Sequence, residues 1–253
     1  MNPDSKLALM ASRRQQSFSV RDAVGNYLPL MHELASRIAL VGRICNNGYD
    51  IPFPYAQEFA YLQFRCICEL IALGCLQLHG DLPDTFSKSI KSEWNAHKIM
   101  ALISRSHSHC FPQCVKRTVG DHGWKIEANF NPNALTFSEF KSLYSECGRF
   151  LHRGSIRSIQ AAGPLGQADL ERLLRWHEKT VALMNEHLIG RSSANAFYLI
   201  SLRTTSGFPE CSLFTKNAKG GMEVESFKMS IDDSNFENVI LAGNMKPVSL
   251  QDV

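Results

Sequence analysis

Several things are missing from this 253-residue chain, and each absence excludes a class of protein. There is no unbroken apolar run near the ~18 residues of a membrane span, so no membrane partner is expected. There is no export signal: the apolar stretch Leu7–Ala11 is short, and Arg13 and Arg14 follow it instead of preceding it. No large excess of one charge exists, because 27 Lys and Arg face 24 Asp and Glu for a net charge of +3. That excludes a strongly basic nucleic-acid coat protein and leaves room only for a local basic patch. Gly-x-Ser-x-Gly and His-Glu-x-x-His motifs are missing, as is any internal repeat. Gly163-Pro164-Leu165-Gly166 lacks the strand, spacing and Lys of a phosphate loop.

What is present suits an ordinary globular protein: 44% apolar and 20% charged residues. Without an export signal, the eight cysteines read as reduced thiols of a cytoplasmic protein. Cys66, Cys68 and Cys75 fall in an apolar helix and serve as small hydrophobic fillers.

Apolar residues recur at three- and four-residue steps from Val20 to Cys45, predicting a first helix with Pro29 as a kink or fresh start. A second helix begins near Pro54 and runs to His79. It is apolar nearly all round, so it should be the buried central element. A third is expected after Asp84-Thr85, carrying Ile90, Trp94, Ala101 and Leu102. Val115–Val119 and Trp124–Phe130 alternate around a Gly-Asp-His-Gly turn, predicting a β-hairpin. Thr136-x-x-Glu139 is a capping box that opens a fourth helix ending at Gly154. A fifth is expected from Ala168 to Leu188. Beyond it the period becomes two, with strands at 197–203, 211–215 and 223–228.

The fold class is therefore mainly α with added β: a five-helix bundle, an inserted β-hairpin and a small C-terminal antiparallel sheet. Residues 1–18 read as a flexible arm and 19–190 as the bundle with its hairpin near 115–130. Residues 191–230 read as a β-meander packed on the bundle, and 231–253 as a loosely ordered tail.

The stretch FRCICELIALGCLQLHGDLP, followed much later by LYSECGRFLHRG, resembles the HEPN superfamily of helical bundles over about residues 20–190. It shares an Arg-then-Glu central helix and a late helix ending in His-Arg-Gly. The resemblance implies RNA binding, metal-independent RNA cleavage in a defence or mobile-element setting, and action as a homodimer. It carries Arg149 and His152 over as the catalytic pair. Here only Phe150 and Leu151 separate them, a closer spacing than the family's, and an apolar residue follows the Arg.

The chemistry fits those residue types. A His titrates near neutrality and can accept a 2′-hydroxyl proton. An Arg fork can steady the extra negative charge on phosphorus. Arg153 and Arg157 could hold neighbouring phosphates. The competing account is a solvated helix end, where cations meet the negative end of the helix dipole. Arg65 and Glu69 lie one turn apart, either as substrate-binding groups facing the same cavity or as an ion pair that fixes helix register. His107, His109, Cys110 and Cys114 are zinc-competent residues whose spacing matches no common finger; the alternatives are a small zinc-stabilised bundle and an exposed loop with one buried Cys, and no cofactor is expected. Phe197, Tyr198 and Phe214 could stack RNA bases but are expected to pack the sheet onto the helices. His32, His79 and His177 read as core or interface histidines. The alternative to an RNA-directed protein is a non-catalytic dimerisation and partner-binding module.

Overall fold

The computed structural model describes residues 19–46, 51–82, 85, 90, 92–120, 123–151, 167–191, 196–217 and 221–229. The expected arm 1–18 and tail 231–253 lie outside the described residues, as do His152, Arg153 and Arg157. Within the described residues the chain is a mixed α/β protein with five helices and one six-stranded antiparallel sheet.

Helix α1 spans Val20–Cys45 and runs on through Pro29; its N-cap Ser19 accepts a bond from the Asp22 amide at 3.2 Å. Helix α2, Phe53–Leu78, starts with Pro in its first turn. These two pack closely: a Cβ on Gly74 of α2 would lie 2.8 Å from the Tyr27 ring of α1. Glycine at that crossing lets the backbone approach the aromatic face.

Helix α3 is Ala96–Ser106, shorter than the sequence suggests. Asn95 caps it by accepting from the Lys98 amide at 3.1 Å, so Trp94 sits before the helix and is 58% exposed. Thr85 does not cap this helix; its hydroxyl donates to the Leu82 carbonyl oxygen at 2.6 Å. Helix α4 is Phe137–Leu151, opened by the Thr136–Glu139 capping box, in which each residue's backbone N–H meets the other's side chain at 3.0 and 3.3 Å. Helix α5 is Gln167–Met184.

The strands are β1 (Gln113–Gly120), β2 (Gly123–Ala128), β3 (Glu186–Arg191), β4 (Ala196–Ser201), β5 (Glu210–Lys216) and β6 (Met222–Lys228). The sheet order is β2-β1-β3-β4-β5-β6. Two expectations are corrected here. The fifth helix stops at Met184, and Leu188 belongs to β3, opposite Leu199. The hairpin region and the C-terminal strands are not separate, because β3 pairs with β1 at Gln113 and Cys114 and with β4 along its whole length.

Alternation along the strands gives the sheet two apolar faces. Ile189, Tyr198, Ile200, Cys211, Leu213 and Phe227 join the helices in the main core. Val115, Ile126, Leu199, Phe214 and Met222 form a second cluster on the other face. There Phe197 and Phe214 stack with ring centroids 4.8 Å apart. Tyr198 is fully buried and Phe214 is 1% exposed, so these aromatics pack the protein itself and are not displayed for bases.

Helix α2 is long and apolar enough by length and composition to cross a membrane, with a mean hydropathy of 1.5 over its most apolar window. Scattered Gln, Arg65 and Glu69 break its apolar run but leave that average high. Sixty-one per cent of the window is buried inside the protein, which is the signature of a core helix.

Candidate functional site

Helices α2 and α4 run side by side and bring together the first set of candidate residues. Arg65 Nε lies 3.1 Å from Glu69 Oε1, one helical turn away. The Tyr144 hydroxyl of α4 donates to the same carboxylate oxygen at 3.1 Å. The Arg65 guanidinium sits between two aromatic rings, 5.6 Å from the Trp94 centroid and 5.5 Å from that of Tyr144. His97 closes the group: its ring meets Tyr144 edge-on at 4.9 Å, and its Nε2–H donates to the Lys141 carbonyl oxygen at 3.0 Å.

Burial pushes the Tyr144 phenol up to about 12, with the Glu69 charge adding to the effect and Arg65 opposing it. Arg65 and Glu69 keep about a quarter of their side-chain surface exposed. An ion pair of this kind contributes about 0.3–0.5 kcal/mol, and the cation–π stacking adds about as much again. The Arg65 charge is thus shared among a carboxylate and two rings. Its ring partners Trp94 and Tyr144 escaped sequence reasoning because only the α2–α4 packing and the α3 N-terminus bring them to Arg65.

Arg149 is exposed on the last turn of α4. Phe140, Leu143, Tyr144 and Cys147 are the buried stripe of that helix. At about 100° per residue, Arg149 points to the opposite side. The apolar residue after it has a clear structural role. Phe150 stacks on Tyr61 of α2 with centroids 4.0 Å apart and rings nearly parallel, and Tyr61 also donates to the buried carboxylate of Glu146. That contact fixes the rotation of α4 and turns Arg149 to solvent. Arg149 therefore does not meet Arg65 and Glu69, while its expected companions His152, Arg153 and Arg157 fall outside the described residues.

In the His107–Cys114 loop the His107 and His109 rings meet with centroids 6.1 Å apart, and two cysteines are buried where one was expected. Cys110 and Cys114 are each 1% exposed, and burial pushes the Cys110 thiol up to about 11. His107 Nε2–H donates to the Gly190 carbonyl oxygen at 2.9 Å, which commits that nitrogen's proton, and His109 Nδ1 faces the Gln113 amide at 3.4 Å. Among the described residues no three His, Cys, Asp or Glu side chains come together to hold a metal ion. His79 and His177 are bound to backbone carbonyls, His79 to Gly190 at 3.0 Å and His177 to Ile38 at 3.1 Å.

A different basic and aromatic surface lies on the β1–β2 pair. Only Gln113 and Cys114 of β1 pair with β3, so the rest of that strand has β2 as its neighbour. Lys116, Arg117, Thr118 and Lys125 are exposed there, and Val119 is 82% exposed. Trp124, paired with Val119, is 39% exposed and carries the Arg117 guanidinium 4.2 Å from its ring centroid. Glu186 holds that guanidinium in place at 3.0 Å. The alternation of Val115–Val119 was readable as a strand, but the stack of Arg117 on Trp124 depends on cross-strand register.

No protein-family model, curated protein or solved structure matches the chain.

Proposed function

We propose that the chain is a HEPN-like helical bundle that binds RNA as a homodimer, without cutting it. One observation carries this reading: the exposed Trp124 ring with Arg117 stacked on it, while Lys116 and Lys125 lie exposed on the opposite face of the same two strands. An aromatic ring beside a cation, on a ribbon with further cations on its other face, suits unpaired bases and their phosphates, because every base has a π-face and every linkage a negative charge. Binding is favoured over catalysis by the dispersal of the described charged groups. Arg65 is occupied by Glu69, Trp94 and Tyr144, and Arg149 lies on the far side of α4. Fluorescence anisotropy with labelled single-stranded RNA tests the reading. Trp124→Ala should weaken binding by about tenfold or more, and raising the salt concentration should weaken it in wild type.

The homodimer rests on the outward side of α2. Tyr55, Phe59, Leu62, Cys66, Leu73 and Leu76 recur there at helical spacing over ~32 Å. Tyr55 is 63% and Leu62 43% exposed. A second copy meeting this stripe would cover Tyr55 and Leu62 and the remaining exposed surface of Phe59, Leu73 and Leu76, which already pack in part against the core.

The second reading, metal-independent cleavage, draws on the exposure of Arg149, which leaves its guanidinium open to a phosphate. In that reading His152 moves the proton and Arg149 stabilises the phosphorane, with Arg153 and Arg157 on adjacent phosphates. Cleavage of single-stranded RNA that His152→Ala abolishes, with melting unchanged, would select it over binding alone.

A further inference from the structure

A cleft of about 360 Å³ opens between the loop before β1 and the loop joining β2 to α4. No step of the RNA reading uses it. Its polar lining is uncharged and rich in amides, with Ser108, Gln113, Asn129 and Asn131 at its edges and Phe111 and Phe137 among its walls. The volume falls at the small end of small-molecule sites.

The amides are held in place. Asn129 has a positive φ of 53°, a conformation that Asn tolerates better than most residues. Its backbone N–H donates to the Cys114 carbonyl oxygen at 2.7 Å, and its Nδ2 donates to Gln113 Oε1 at 3.2 Å. Asn131 Oδ1 accepts from the Asn133 amide at 2.9 Å. These bonds use one end of each Asn side chain. Among the described residues nothing engages Asn129 Oδ1, Asn131 Nδ2 or the Ser108 hydroxyl. An acceptor and two donors are therefore left on a cleft with aromatic walls.

The charge balance selects the ligand. No Lys or Arg lines the cleft. The adjacent N-terminus of α4 offers nothing to an anion, because Glu139 already sits there and accepts from Thr136 N–H at 3.0 Å and Thr136 Oγ1 at 2.9 Å. A carboxylate in that place repels a phosphate. A neutral, flat ligand with a donor and an acceptor on one edge fits both the amides and the rings. A single Asn or Gln amide can pair bidentately with the N6 and N7 edge of adenine; here the acceptor is Asn129 Oδ1 and the donor Asn131 Nδ2, one from each of two amides.

We infer that this cleft binds a purine base of the adenine type through Asn129 and Asn131, either as a free nucleoside or as an unstacked nucleotide of a strand. The inference does not depend on Trp124 or on the RNA reading, and a failure of either leaves the other standing.

Isothermal titration of the full chain with adenosine tests it. Saturable binding is expected, with glucose at the same concentration giving none. Asn129→Gly keeps the positive φ and removes the amide; it should weaken adenosine by about tenfold or more. Ser108→Ala, in an exposed loop, gives a second reading if the glycine variant lowers the melting temperature. Short oligoadenylate separates the sources: a loss on Asn129→Gly equal to that for adenosine places the base on a strand, whereas loss for adenosine alone makes the free nucleoside the ligand, and both support the cleft. No saturable adenosine binding, equal affinity in wild type and both variants, or glucose binding as tightly as adenosine would overturn it.

Discussion

Along α2, Phe64, Ile67, Cys68 and Ile71 are at most 1% exposed, whereas Tyr55 and Leu62 on the same helix are 63% and 43% exposed. Both sides carry large apolar residues, although the charged residues Glu58, Arg65 and Glu69 all fall on the outward side. The difference comes from neighbours: α1, α3, α4 and α5 together close over roughly 200° of the helix circumference, judged from 100° per residue. Apolar character all round a helix therefore establishes that it is central to one side of a fold. It does not establish that every side is covered within one chain.

The sharpest way to break this comparison is to truncate the inner side. Phe64→Ala removes a fully buried ring from the packed side and should cost about 3–5 kcal/mol, read from the midpoint of urea unfolding. A cost near zero would mean that the inner side is not packed as described.

Acid should act on the same core through His187. This ring is fully buried, accepts from the Tyr27 hydroxyl of α1 at Nε2 (2.8 Å) and donates from Nδ1 to the Met184 carbonyl oxygen at 3.0 Å. Those partners suit the neutral ring, and burial pushes its pKa from 6.5 down to about 4. Below pH 6.5 the unfolded chain takes up a proton that the folded chain refuses. Stability from this group is therefore complete above pH 6.5 and falls as the pH drops towards 4, by on the order of 3 kcal/mol. Unfolding midpoints measured between pH 7 and 4 should show this slope, and His187→Gln should flatten it.

On the flank between the two sides, Tyr144→Phe deletes the hydroxyl that bonds Glu69 and should cost about 1 kcal/mol. Smallest of all is Leu62→Ala on the outward side, within about 0.5 kcal/mol for the monomer. Leu62→Glu sharpens the contrast, because sedimentation should show a shift towards monomer with the melting of the single chain little changed. A dimer that persists in Leu62→Glu would place the second copy elsewhere.

Much of the helical skeleton was legible in the sequence. Val20–Cys45 and the start near Pro54 follow from periodicity and capping, and the Thr136–Glu139 box announces α4 through local bonds alone. The helical period from Leu170 continues in register to Leu188, and so short a stretch at its end suits a helix or a strand equally. Only the pairing of His187 with Ile200 and its bond to Tyr27, 160 residues away, decide for the strand. Trp94 falls outside α3 because Asn95 caps that helix. Arg65 and Glu69 were correctly paired from their spacing, but Arg149 could not be oriented until Phe150 was seen on Tyr61. The Arg117–Trp124 stack and the Asn129 cleft depend on contacts between strands and loops that no local pattern encodes.

The proposal that this chain binds RNA without cutting it is tested most directly by one titration. Labelled single-stranded RNA is mixed with wild type, Trp124→Ala and His152→Ala, and both anisotropy and RNA length are followed without added metal. The account predicts intact RNA throughout, tight binding by wild type and by His152→Ala, and a loss of about tenfold or more for Trp124→Ala. RNA shortened by wild type and spared by His152→Ala, or binding indifferent to Trp124, would contradict it.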